Sequence, residues 1–154
     1  MQMLHRIRER LIKNRTALSN QIRGLLAEYG LVIPKGINHL KAHLPRFLED
    51  ATNELSAPAR RYFLGLSKEL DEISVQIKSV DTEILGINRQ NDVCQRLSTM
   101  TGAGPIVATA FYVGIGVGKA FNSGRHVSAW LGLVPRQHST GGEPTLLGIS
   151  KRGY

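Results

Sequence analysis

Seven apolar residues, Leu66, Leu70, Ile73, Ile77, Val80, Ile84 and Ile87, follow one another at spacings of 4, 3, 4, 3, 4 and 3. That repeat holds an apolar stripe on one side of a helix, and three heptads of it call for another helix as partner. Lys68, Glu69, Asp71, Glu72, Lys78, Asp81 and Glu83 flank the stripe. The pattern predicts a long helix from Glu54 to Asn91, with Ser56-Ala57-Pro58 near its start. A partner stripe lies in residues 1–29, where Leu4, Ile7, Leu11, Leu18, Ile22, Leu25 and Tyr29 recur at spacings of three, four or seven. Asn14 and Gln21 fall on this second seam, where polar groups set register at some cost in stability. Gly30 suits a C-cap and Pro34 a stop. Two arrangements satisfy both stripes. Residues 1–29 fold back on 54–91 as an antiparallel hairpin, or chains pair through a coiled coil; an arm that dimerises or tetramerises combines the two.

Residues 30–52 read as a connector with a short helical piece near His39–Leu48, so residues 1–92 form a helical arm. The composition changes after Asp92. Residues 98–154 hold most of the chain's 16 glycines and a single carboxylate, Glu143. Residues 93–154 are expected to form a separate basic unit, with helices at Pro105–Tyr112 and Gly124–Leu131 and short strands near Leu131–Val134. The fold class expected is mainly α: a long helical, coiled-coil arm followed by a small unit containing a helix-hairpin-helix.

The net charge of +8 and a pI of about 10.1 favour a polyanionic partner, and nucleic acid is the commonest. One cysteine, Cys94, excludes disulfide scaffolds and cysteine-based zinc sites within a single chain. No apolar run approaches the length of a membrane span, and the N-terminus lacks an apolar signal core. A reducing cytoplasm is the expected compartment.

Three segments offer chemistry. Met100-Thr-Gly102-Ala-Gly104-Pro105 reads as a glycine turn opening a helix. Gly102 and Gly104 would let backbone amides approach a DNA phosphate, as helix-hairpin-helix units do. Gly114-Ile-Gly-Val-Gly-Lys119 resembles a nucleotide loop only superficially, because Ala120 stands where a Walker loop needs Ser or Thr. In the tail, Ser139 precedes Thr140-Gly141-Gly142. A serine hydroxyl needs a base, a metal or a cationic pocket to become a nucleophile. Arg136, Lys151 and Arg152 are the cations that could neutralise a phosphodiester there. His138 is adjacent, but sequence neighbours usually point apart, and it is not assigned as the base. With Glu143 alone, residues 98–154 have no carboxylate set for metal-dependent phosphoryl transfer.

Leu131-Gly-Leu-Val-Pro-Arg-Gln-His-Ser-Thr-Gly-Gly142, then Leu147-Gly-Ile-Ser-Lys-Arg-Gly153, resembles the insertion-sequence transposases related to the Piv DNA invertase. These are bridge-RNA-guided recombinases with a RuvC-like DEDD domain. Arg8 to Gly30 also looks like the segment that follows that domain, so the resemblance covers essentially the whole chain. It implies DNA recombination, with Ser139 as the strand nucleophile. Gly141 and Gly142 match the glycines that follow it, and Lys151-Arg152-Gly153 the basic element. The resemblance implies that the arm assembles subunits, as a homo-oligomer or with a full-length transposase. DNA is the partner, and a structured guide RNA a further one. Mg²⁺ is expected only in the full-length enzyme, held by a carboxylate domain that this sequence lacks. Glu143 stands where a lysine is usual and Val117 where an aspartate is frequent. Tyr154 ends the sequence where the family continues into another helix. A partial transposase, inactive alone, is the expectation.

Overall fold

The computed structural model describes residues 1–133 in full, and the backbone of 135–140 and 143–149. The protein is mostly helical, in element order α1 (Gln2–Ala27), α2 (Ile37–Glu49), α3 (Ala57–Gln90), α4 (Asp92–Ser98), α5 (Pro105–Ile115), α6 (Gly124–Trp130), β1 (Pro135–Thr140) and β2 (Glu143–Ile149). Two compact units make up the chain, Met1–Thr109 and Ala110–Tyr154, with the division inside α5.

The spine of the first unit is α3, whose 34 residues span about 51 Å at the helical rise. Ser56 caps it, its Oγ accepting from the Ala59 amide at 3.3 Å. Pro58 falls in the first turn, where its missing N–H leaves no bond unmade. Helix α1 lies antiparallel against α3, and a contact at each end sets the direction. Arg8, early in α1, donates through Nε to Asp81, late in α3, at 2.5 Å. Tyr29, just past α1, meets Phe63 edge-on near the start of α3, with ring centroids 6.4 Å apart. Between these ends α1 turns off through a Schellman motif. Gly30 takes φ +71, and the Leu31 amide reaches back to the Leu26 carbonyl at 3.0 Å.

Burial along α3 follows a seven-residue beat. Phe63, Leu70, Ile77 and Ile84 are buried, whereas Leu66, Ile73, Val80 and Ile87 are only half-buried. On α1 the buried residues are Leu11, Leu18, Ser19, Ile22 and Leu26. Asn14 and Gln21, which heptad counting places on the seam, are exposed. A straight helix drifts by roughly 20° per heptad against a strict seven-residue repeat. The buried face therefore rotates onto Ser19 and Leu26. Ser19 satisfies its buried hydroxyl by donating to the Arg15 carbonyl at 2.7 Å.

Residues 30–52 contribute α2 to this core. Leu40 and Leu44 join Leu18, Ile22, Leu26, Ile33, Leu55, Phe63 and Leu70 in one cluster. Arg60 ties the α2–α3 connection together. Its Nε donates to the Leu55 carbonyl, Nη1 to those of Phe47 and Leu48, and Nη2 to the Asp50 carbonyl and Asn53 Oδ1, at 2.6–3.1 Å. Three of those acceptors lie at the C-terminal end of α2, where a cation is favoured.

After Asn91 the chain breaks and restarts as α4, a helix that periodicity does not announce. Asn91, extended at φ −122, accepts from the Cys94 amide at 3.0 Å and so caps the new helix. Cys94 is fully buried, and burial pushes its thiol pKa up, as for an inert core cysteine.

In the second unit, Trp130 packs against Gly114 and Phe121. A Cβ on Gly114 would lie 3.0 Å from the indole, and the Phe121 ring meets it edge-on with centroids 5.8 Å apart. Ser123 caps α6, accepting from the His126 amide at 3.4 Å. The strands expected near Leu131–Val134 are not found at 131–133. Those residues instead close α6 through a second Schellman motif. Gly132 sits at φ +70, the Leu133 amide donates to the Ser128 carbonyl at 2.9 Å, and Gly132 donates to that of Ala129 at 3.1 Å. The strands lie further on, in the antiparallel hairpin of β1 and β2.

Candidate nucleic-acid interface

Thr99–Gly104 join α4 to α5. The Ala103 amide donates to the Met100 carbonyl at 3.0 Å, and Gly102 adopts φ +86, a conformation that favours glycine. No atom lies within 4 Å of where a Cβ on Gly102 or Gly104 would be, and both residues are exposed. Backbone conformation rather than crowding thus selects Gly102. The Gly104 carbonyl accepts from the Ala108 amide at 2.9 Å, so α5 starts here with Pro105 in its first turn. A helix, a short glycine turn and a second helix therefore stand in sequence, with the turn open to solvent.

Ser139 lies within β1, opposite Pro144, and not in a loop as its glycine-rich surroundings suggest. Thr140 pairs with Glu143, His138 with Thr145 and Gln137 with Leu146. Between the two strands the sequence holds Gly141 and Gly142. A glycine pair flanked by Ser-Thr and Glu-Pro-Thr was the signal that could have located the hairpin. Pro135, Pro144 and Gly148, all poor strand residues, masked it. Arg136 sits at a register irregularity between Pro135 and Gln137, the position where a β-bulge re-aims a strand. Arg136 and Ser139 therefore share one strand, whereas Gly102 and Gly104 belong to the first unit. Gly141, Gly142, Lys151 and Arg152 lie outside the described residues.

Around α6, Trp130 retains 47% of its surface exposed, and Arg125 and His126 on the same helix are exposed as well. Packing against Gly114 and Phe121 accounts for one half of Trp130, and the other half is open surface. Among the described residues, no three His, Cys, Asp or Glu side chains gather into a metal-binding group. Glu143 is the single Asp or Glu after residue 98. No helix among the described residues is long and apolar enough to cross a membrane.

Residues 94–154, which include the glycine turn, α5, α6 and the hairpin, match the family described as Transposase IS116/IS110/IS902. Over this span the chain is similar to that transposase family. A likeness to named transposases extends over the arm as well. The chain is 40% identical over 153 residues to the transposase for insertion sequence element IS1111A of Coxiella burnetii, covering 99% of this chain and 42% of that protein. It is 41% identical over 154 residues to a probable family 20 transposase of Pseudomonas aeruginosa, covering 99% and 46%. The transposase for insertion sequence element IS1328 of Yersinia enterocolitica is 37% identical over 153 residues, with 99% and 45% covered. The chain thus spans less than half the length of these relatives. No solved structure matches it significantly.

Proposed function

We propose that this chain acts in DNA transposition, with Ser139 as the nucleophile for strand exchange. The observation that carries the reading is the family match over residues 94–154, which includes Ser139 on its hairpin strand ahead of Gly141 and Gly142. In the reaction, Ser139 Oγ attacks a backbone phosphorus and forms a phosphoserine ester. The displaced strand hydroxyl leaves with a proton, and Arg136, Lys151 and Arg152 neutralise the phosphate charge. The Gly102–Gly104 turn grips a second phosphate as a helix-hairpin-helix does, without reading sequence. Carboxylates for Mg²⁺ come from outside this sequence, supplied by a full-length transposase subunit. A structured guide RNA, as in the Piv-related serine transposases, is a further partner. On this reading the chain alone binds DNA or structured RNA and cuts neither.

The test pairs binding with cleavage. Duplex DNA should bind with an affinity that falls steeply with salt, since phosphate contacts release counterions. Mixed with a transposase that carries the carboxylate domain, plus Mg²⁺, the chain should form a covalent DNA adduct that Ser139→Ala abolishes. An adduct that survives Ser139→Ala removes the serine from the chemistry, and a flat salt response removes the polyanion claim.

A second reading is favoured by the half-buried row Leu66, Ile73, Val80 and Ile87 on α3. In it the chain is a non-catalytic nucleic-acid-binding and oligomerisation protein that modulates an intact transposase through mixed assemblies. A chain that stays monomeric at high concentration and fails to co-purify with a full-length transposase removes that reading.

A further inference from the structure

Helix α1 is far more basic than its packing against α3 requires. It carries Arg6, Arg8, Arg10, Lys13, Arg15 and Arg23 against one carboxylate, Glu9. Glu9 is held by Lys13 at 2.7 Å, and Arg8 is held by Asp81. Among the described residues, no carboxylate pairs with Arg6, Arg10, Arg15 or Arg23. Two of these four arginines are only partly exposed and share a cavity. Arg15 and Arg23, with Thr16, Ser19, Gly36 and Ile37, line a space of about 230 Å³ at the corner between α1 and the start of α2.

The hydroxyls in that lining are already engaged. Thr16 donates to the Ile12 carbonyl at 2.9 Å and Ser19 to that of Arg15 at 2.7 Å. Arg23 donates through Nη2 to Asn20 Oδ1, which leaves most of its five N–H groups free for another acceptor. The α2 end of the cavity is positive as well. Gly36 offers no side chain, no side chain caps the helix, and its first turn carries no acidic residue. The first intrahelical bond runs from Leu40 to the Gly36 carbonyl, so the amides before Leu40 have no intrahelical acceptor. The cavity lining therefore presents two guanidinium groups and the first amides of α2, with no carboxylate among its residues.

We propose that this cavity is a phosphate-binding site on the helical arm, in which Arg15 and Arg23 grip the anion and the first amides of α2 close over it. The geometry suits an acceptor with several oxygens. Guanidinium forks pair with phosphate in bidentate fashion, and the dipole of α2 adds to the same field. The ligand is a phosphate group, either one of a polynucleotide backbone or a free phosphate. The site stands independently of the role given to Ser139.

The full chain, labelled for amide NMR, is titrated with inorganic phosphate against chloride at constant ionic strength. Saturable shifts are expected at the Gly36, Ile37 and Asn38 amides. They should vanish in Arg15→Gln/Arg23→Gln and persist, weakened, in Arg15→Lys/Arg23→Lys, with circular dichroism confirming that each variant is folded. In the second arm, a short DNA duplex should displace phosphate from these amides if the natural ligand is a backbone phosphate. The Gln pair should then weaken duplex binding about tenfold, equivalent to ~1.4 kcal/mol. The salt slope should become shallower by about 1. Neutralising the exposed pair Arg6→Gln/Arg10→Gln serves as the comparison and should cost less. Saturable phosphate shifts that the duplex leaves untouched assign the site to free phosphate. Shifts that do not saturate, or that are the same in the wild type and the Gln pair, overturn the proposal, whatever Ser139→Ala does.

Discussion

Arg60 shows how much of the first unit depends on one side chain. Its guanidinium donates to four backbone carbonyls and one side-chain oxygen, gathering the end of α2, the turn at Asp50–Asn53 and the start of α3. Removing it leaves those carbonyls without their partner, and a hydrogen bond to a charged group contributes about 1.5–3 kcal/mol. Arg60→Ala should therefore lower unfolding free energy by about 2 kcal/mol or more, measured by urea denaturation. Arg60→Lys should recover little of that, because an ammonium cannot reproduce a planar five-donor fork. His5 presents the opposite case, a polar group without a hydrogen-bond partner among the described residues. Its Nε2 is buried and unbonded, and burial lowers its pKa below 6.5, with Arg8 and the N-terminal amine adding to the effect. A histidine with a depressed folded pKa resists protonation, so the unfolded chain binds more protons as the pH falls. Its contribution is complete above pH 6.5 and is lost as the pH drops from there through the folded value. Thermal midpoints should fall over that window, and His5→Leu should flatten the part of the slope that arises from this group.

At the scale of elements, the two apolar rows of α3 have different fates. The row containing Phe63, Leu70, Ile77 and Ile84 is buried within the first unit, and Ile84 is fully buried. Ile84→Ala removes buried methyl groups and leaves a cavity, which costs about 2–5 kcal/mol. Val75, on the same helix but 66% exposed, should tolerate Val75→Ala within about 0.5 kcal/mol. Equal losses at the two positions, measured by denaturant melts, would contradict the burial pattern. Helix boundaries were readable wherever a local signal marked them. Gly30, Ser56 and Ser123 perform the capping roles that their residue types suggest, because caps act within a few residues. The end of the long helix at Asn91 was readable too, but its restart as α4 was not, since the bond from the Cys94 amide to the Asn91 side chain is what makes Asn91 the cap of a new helix. The hairpin at Pro135–Ile149 escaped for another reason. Its strands are short and contain prolines and a glycine, and their pairing is a property of two segments taken together.

For the molecule as a whole, charge and motif point the same way. The net charge of +8 and the match to a transposase family over residues 94–154 both agree with the polyanionic partner proposed above. What the sequence determined by itself is periodic or local: the long helices, their caps, the excess of basic residues and the family signature around Ser139. These depend on neighbours within a turn or two, or on composition alone. The tertiary structure alone decided which seam row is buried, that Asn14 and Gln21 rotate to solvent, and that Arg60 knits a connection. It also decided that Arg15 and Arg23 meet the start of α2, and that Ser139 sits in a strand. Each of those is set by which residues meet, some far apart in the chain, as with Arg8 and Asp81, 73 positions apart, and some a few residues apart, as with Ser139 and Pro144. A one-dimensional pattern records which residues are apolar or charged, but the partner that buries or neutralises them is fixed only when the helices pack.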